Sequence, residues 1–115
     1  MTKVYTSKKL SGYMFINTSL KTGLDAFKPY EDYYTTQLQK LLNTEISQED
    51  FYKPFLEKMR LSYKKNHWLW NWILKQNKII LGCDCKANGF CHAEYLAKYI
   101  FPKIGAEYCG EWEER

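Results

Sequence analysis

The segment KIILGC, residues 78–83, is a continuous apolar run, the pattern of a strand buried on both faces. Residues 3–6 and 13–17 are rich in β-branched and aromatic side chains and predict two further strands. After the second strand the apolar spacing becomes helical. A first helix is expected over residues 31–42, with Tyr34, Leu38, Leu41 and Leu42 on its inner face. Ser47, followed three residues later by Asp50, marks the start of a second helix. Its inner row is Phe51, Phe55 and Met59, with Tyr63 extending it, and Pro54 predicts a kink or a split. A third helix follows Asn66, with Trp68, Leu69, Trp72 and Ile73 facing inward. The last helix is expected over residues 91–101, with Tyr95, Leu96, Tyr99 and Ile100 inside and Pro102 and Gly105 closing it. The closing AEYCGEW adds a short final strand.

This order predicts one α/β domain spanning residues 1–115. The expected architecture is a small sandwich with a partly parallel sheet flanked by helices, Rossmann-like, with right-handed crossovers. Ligands in such sheets bind just beyond the carboxyl ends of the strands. Two loops meet that description, NTSLKTG after the second strand and CDCKANGFCH after the apolar run.

Composition refines the picture in three ways. Aromatic residues make up 17% of the chain, more than a core of this size requires, so some are expected at a binding surface. The net charge of +4 suits an anionic small ligand and is too weak to indicate nucleic acid as a partner. No run approaches the roughly 18 apolar residues of a membrane span, and MTKVYTSKKL lacks the apolar stretch of a signal peptide. A cytoplasmic location is therefore expected, in which Cys83, Cys85, Cys91 and Cys109 stay reduced.

The cysteine–histidine loop admits four readings. Cys83, Cys85, Cys91 and His92 are zinc-ligand types, but one residue between the first pair and none between the second is poor ligand spacing. No metal and no cofactor is expected. A catalytic thiol would use Cys85 or Cys91, its thiolate favoured at a helix start, with His92 as acid or base. Anion binding needs fewer assumptions. The helix start offers amides, Gly89 permits close approach, Asn88 tolerates a left-handed conformation, Lys86 adds charge, and His92 in the first turn can donate to a phosphate or hold the loop. The fourth reading is packing, with the cysteines as small buried groups and His92 bonded to backbone. Elsewhere, Asn17, Thr18, Ser19 and Lys21 offer polar groups at a strand end. Arg60 and Tyr63 share a helix face, and Glu111 and Trp112 could cover a pocket or form a frayed terminus.

IILGCDCKANGFCHAEYLAKYI resembles the C-terminal motif of the family called domain of unknown function 488 and its small phage-encoded relatives. There an apolar strand runs into a cysteine-containing loop and then Cys-His-Arg at a helix start. INTSLKTG and YCGEW are similar to other pieces of those relatives. The resemblance implies an α/β fold and a phage or mobile-element origin, where small proteins often counter host defences. Ala93 stands where the family usually has arginine, which weakens a catalytic reading.

The expected function is capture of a nucleotide or nucleotide-derived signal, a sequestration that would counter host defence. The ligand would contact Asn17, Thr18, Ser19, Lys21, Arg60, Tyr63, Cys83, Cys85, Lys86, Asn88, Gly89, Phe90, Cys91, His92 and Glu111. The alternatives are a thiol-dependent hydrolase or transferase using Cys85, Cys91 and His92, and a protein inhibitor of a host factor. A homo-oligomer is compatible with each, and no membrane partner is expected.

Overall fold

Three aliphatic residues in a row demand cover on both sides of a strand, and the sheet supplies it. Strand β3, Lys78–Gly82, lies between two neighbours. On one side is β1, Thr2–Ser7, in register from Lys3↔Lys78 to Ser7↔Gly82. On the other is β2, Phe15–Asn17, with Phe15 opposite Ile80. β4, Ala106–Glu111, pairs outside β1, so the order is β2-β3-β1-β4 and every pairing is parallel. The computed structural model describes residues 1–9, 12–19, 22–29, 37, 40–41, 43–83 and 92–112. The molecule is a small α/β fold, as its pattern predicts.

Strand side chains alternate between faces. Val4, Ile16, Ile79 and Leu81 therefore join the helices in one hydrophobic cluster. Ile80 points the other way and is still fully buried, opposite Tyr5 and Phe15 in the register. β2 is shorter than expected, because Met14 adopts a left-handed φ of 63° that ends the extended run.

Helix α1, Gln48–Lys65, starts where the capping signal places it: the Ser47 hydroxyl accepts from the Asp50 amide at 3.0 Å. It is not split at Pro54. A helical proline costs about 3 kcal/mol. Burial of Phe51, Tyr52, Phe55 and Met59, each worth roughly 1.5–3 kcal/mol, outweighs that cost. Of the helix expected over 31–42, Gln37, Lys40 and Leu41 are helical and Leu41 is buried; Tyr34, Leu38 and Leu42 lie outside the described residues.

Helix α2, His67–Leu74, corrects the expected tryptophan face. Ile73 is buried and Leu69 partly buried, as expected, but Trp68 is 70% exposed and Trp72 48% exposed. Trp70 is the core residue, its indole Nε1 donating to the Ser62 hydroxyl at 3.1 Å. HWLWNWIL is apolar on nearly every face, so periodicity could not choose between them. The hydrogen bond to α1 chooses.

The last helical segment also departs from a simple helix. α3, His92–Tyr95, widens into a π turn over Leu96–Ile100 and tightens into a 3-10 turn over Phe101–Ile104. Leu96 and Ile100 are buried as expected. Tyr95 is only partly buried, and Tyr99 is exposed, corrected because the π turn brings Ala97 inward instead. Gly105, at φ 101°, ends the segment in a conformation that costs a glycine little.

Trp70→Ala should lower unfolding stability by about 3–5 kcal/mol. Trp68→Ala should stay within about 0.5 kcal/mol of the parent. Urea denaturation of both variants checks this, and equal losses would refute the assigned face.

Candidate functional site

The side chains of Asn17, Ser19 and Thr22 turn inward on one another. The Asn17 carboxamide donates to the Thr22 hydroxyl and carbonyl and accepts from the Ser19 amide at 2.9 Å. Ser19 and Thr22 hydroxyls bond at 2.7 Å, and the amides of Gly23 and Leu24 return to the carbonyls of Ser19 and Asn17. A Cβ on Gly23 would sit 2.4 Å from the Ser19 carbonyl oxygen, so only glycine fits here.

Thr18 joins this loop to the sheet. Its amide and its hydroxyl both donate to the Gly82 carbonyl, at 2.8 and 2.9 Å. Its own carbonyl accepts from Nε2 of His92. That bond carries the proton on Nε2 and fixes the tautomer. The ring is 1% exposed, lies edge-on to Phe55, and places Nε2 3.6 Å and Nδ1 3.9 Å from the Cys83 sulfur. Asn17, Thr18, Ser19 and His92 are thus brought together, as sites at strand ends should be. Their polar atoms serve the joint itself.

Cys83 is disulfide-bonded, in contrast to the reduced state expected. It directly follows β3, and the next cysteines in the sequence are Cys85 and Cys91, two and eight residues on. Cys109, on β4, is free and exposed. Lys21, Cys85, Lys86, Asn88, Gly89, Phe90 and Cys91 lie outside the described residues.

Two of the cavities are lined by residues expected at the site. One, of about 240 Å³, opens at the carboxyl ends of β1, β3 and β4. Thr6, Ser7, Cys83 and Trp112 form part of its lining, and Ala93 is a fully buried methyl group on its wall. Its charges are mixed: Lys8 stands against Glu94 and Glu111. Glu94 is paired with Lys98 at 2.6 Å, and that hydrogen bond raises the lysine pKa above its usual value. Of the expected ligand contacts, Cys83 and Glu111 are here. Trp112, expected with Glu111 as cover for a pocket, lines this space and packs edge-on against Tyr5 and beneath Lys78.

The other cavity, of about 320 Å³, lies between α1, α2 and the 3-10 turn. Met59, Trp70 and Ile100 form its buried floor, with Leu56 and Ile104 beside them. Arg60 and Lys64, one turn apart on α1, and Lys103 on the 3-10 turn supply the charge. Among the described residues none of these three cations has an ion pair or a hydrogen bond. Among the described residues no acidic side chain lines the space. Arg60 and Tyr63 were expected as ligand contacts sharing a helix face; Lys64 and Lys103 were not, since single lysines and short lysine runs read as solvated surface. Tyr95 stacks on Tyr52 at 4.2 Å; burial raises its pKa, with Tyr99 and Glu49 adding to the rise and Arg60 opposing it.

The described site residues thus divide between the strand ends and the helical cavity rather than converging on one place. Among the described residues no group of three or more metal-ligating side chains is assembled, and no helix is long and apolar enough to cross a membrane. No family model, no curated protein and no solved structure matches the chain.

Gly23→Ala should cost about 1–3 kcal/mol, because the tightly closed loop must shift to admit a methyl group. His92→Phe preserves a buried ring but orphans the Thr18 carbonyl, at a similar cost of about 1–3 kcal/mol. Thermal unfolding measures both. A neutral His92→Phe would show that the bond to Thr18 is dispensable.

Proposed function

We propose that this protein binds a small organic anion, nucleotide-like molecules among the candidates, in the cavity bounded by Arg60, Lys64 and Lys103. The observation that carries this reading is the set of three cations without partners around an apolar floor. All three side chains are exposed, so water is what solvates them in the free protein. Here an arriving anion would find three charges next to a surface that gains by being covered. The guanidinium of Arg60 can take two anion oxygens at once, and the lysines act as point charges. The volume lies at the small end of ligand pockets, which run from roughly 300 to 1,000 Å³.

Capture without turnover is the favoured role. The His92 ring, the expected acid or base of a thiol enzyme, is held by the Thr18 carbonyl. In a phage-encoded protein such capture would deplete a host signal.

Thermal shift and calorimetry with a panel of nucleotides, carboxylates and alkyl phosphates test the proposal. At least one anionic class should raise the melting temperature, with the effect falling as salt is added. Arg60→Ala should weaken binding by about tenfold or more, since a charge-assisted bond is worth roughly 1.5–3 kcal/mol. No shift with any anion, or unchanged affinity in the Arg60→Ala, Lys64→Ala, Lys103→Ala triple variant, would overturn it.

A further inference from the structure

The polar inventory of this cavity narrows what could fill it. A nucleoside carries ring nitrogens, carbonyls and hydroxyls that need partners once they leave water. The indole Nε1 of Trp70 already donates to Ser62, whose hydroxyl also accepts from Asn66 at 3.3 Å. Apart from the three cations, the Tyr63 phenol is the one polar side chain in the lining among the described residues. The rest of the surface offers only hydrocarbon, thioether and an indole face. Met59, unbranched and polarizable, adapts readily to a flexible apolar body.

We propose that the cavity takes an amphiphile: an anionic head between Arg60, Lys64 and Lys103, and a short unsubstituted hydrocarbon body over Leu56, Met59, Ile100 and Ile104. The inference rests on the anion-binding reading and chooses within it. The head meets all the fixed charge, and the body meets the surface that has no hydrogen bond to give. A free medium-chain acyl or alkyl anion fits the limited volume; a lipid held in a bilayer is the competing source of the same chemistry.

Calorimetry with butyrate, hexanoate and octanoate, then octyl phosphate, octanol and AMP, tests this. Each added methylene should tighten binding roughly fourfold until the cavity is full. Octyl phosphate should bind at least tenfold tighter than AMP, and octanol more weakly than octanoate. Ile104→Ala, at a partly buried position packed against the core, should flatten the chain-length series, with circular dichroism at the assay temperature showing the variant folded like the parent. Tighter binding of AMP than of octyl phosphate would overturn this inference and leave the anion-binding reading standing. Failure of every anion would overturn both. Co-sedimentation with phosphatidylglycerol vesicles in the absence of any octyl phosphate binding would also overturn the free amphiphile.

Discussion

The hydrogen bond from His92 to the Thr18 carbonyl holds together parts of the chain that have little else in common. β2 is a three-residue edge strand, too short to hold its place by ladder bonds alone. Thr18 extends that ladder by giving both its donors to Gly82, and His92 then ties its carbonyl to the start of the last helical segment. The edge of the sheet, the end of the central strand and a helix start become one unit. Loss of the imidazole would leave a buried carbonyl without its partner, and a burial penalty would spread to all three elements.

Charge separates the two cavities more sharply than position does. Ends of parallel strands are the usual place for a ligand. Here the space at those ends mixes Lys8 with Glu94 and Glu111, and its neighbouring polar groups are engaged within the protein. The cavity between the helices lies away from the strand ends and gathers charge of one sign. A protein whose net charge is only +4 thus concentrates three cations around one apolar hollow. Local arrangement, rather than total charge, is what an anion would sense.

Much of the fold was legible in the sequence because its signals were redundant. The apolar run at Ile79–Leu81, the Ser47–Asp50 cap and the Gly105 stop each agree with their surroundings. What was not legible came from residues without a competing polar face. In α2 the choice of Trp70 over Trp68 and Trp72 depends on a hydroxyl eight residues away, which no periodicity encodes. The candidate site was legible only in part. Arg60 and Tyr63 could be paired by spacing, whereas Lys103 reaches the same cavity through tertiary folding. His92 and Thr18 were recognisable as important, but 74 positions of sequence separate them, and their bond to each other could not be foreseen.

A π turn is, in effect, an α-helix that has taken in one extra residue. In this protein it lies between Ala93, on the wall of the strand-end cavity, and Lys103, beside the helical one. The extra residue rotates everything after it, so one helical segment presents different faces to two different spaces. Removing a single residue between Leu96 and Ile100 would restore the regular winding and carry Lys103 and Ile104 off their cavity, with every side chain that lines it chemically unchanged. The binding surface is therefore set by a residue count as much as by residue identity, and length variants here would separate binding from folding more cleanly than substitutions.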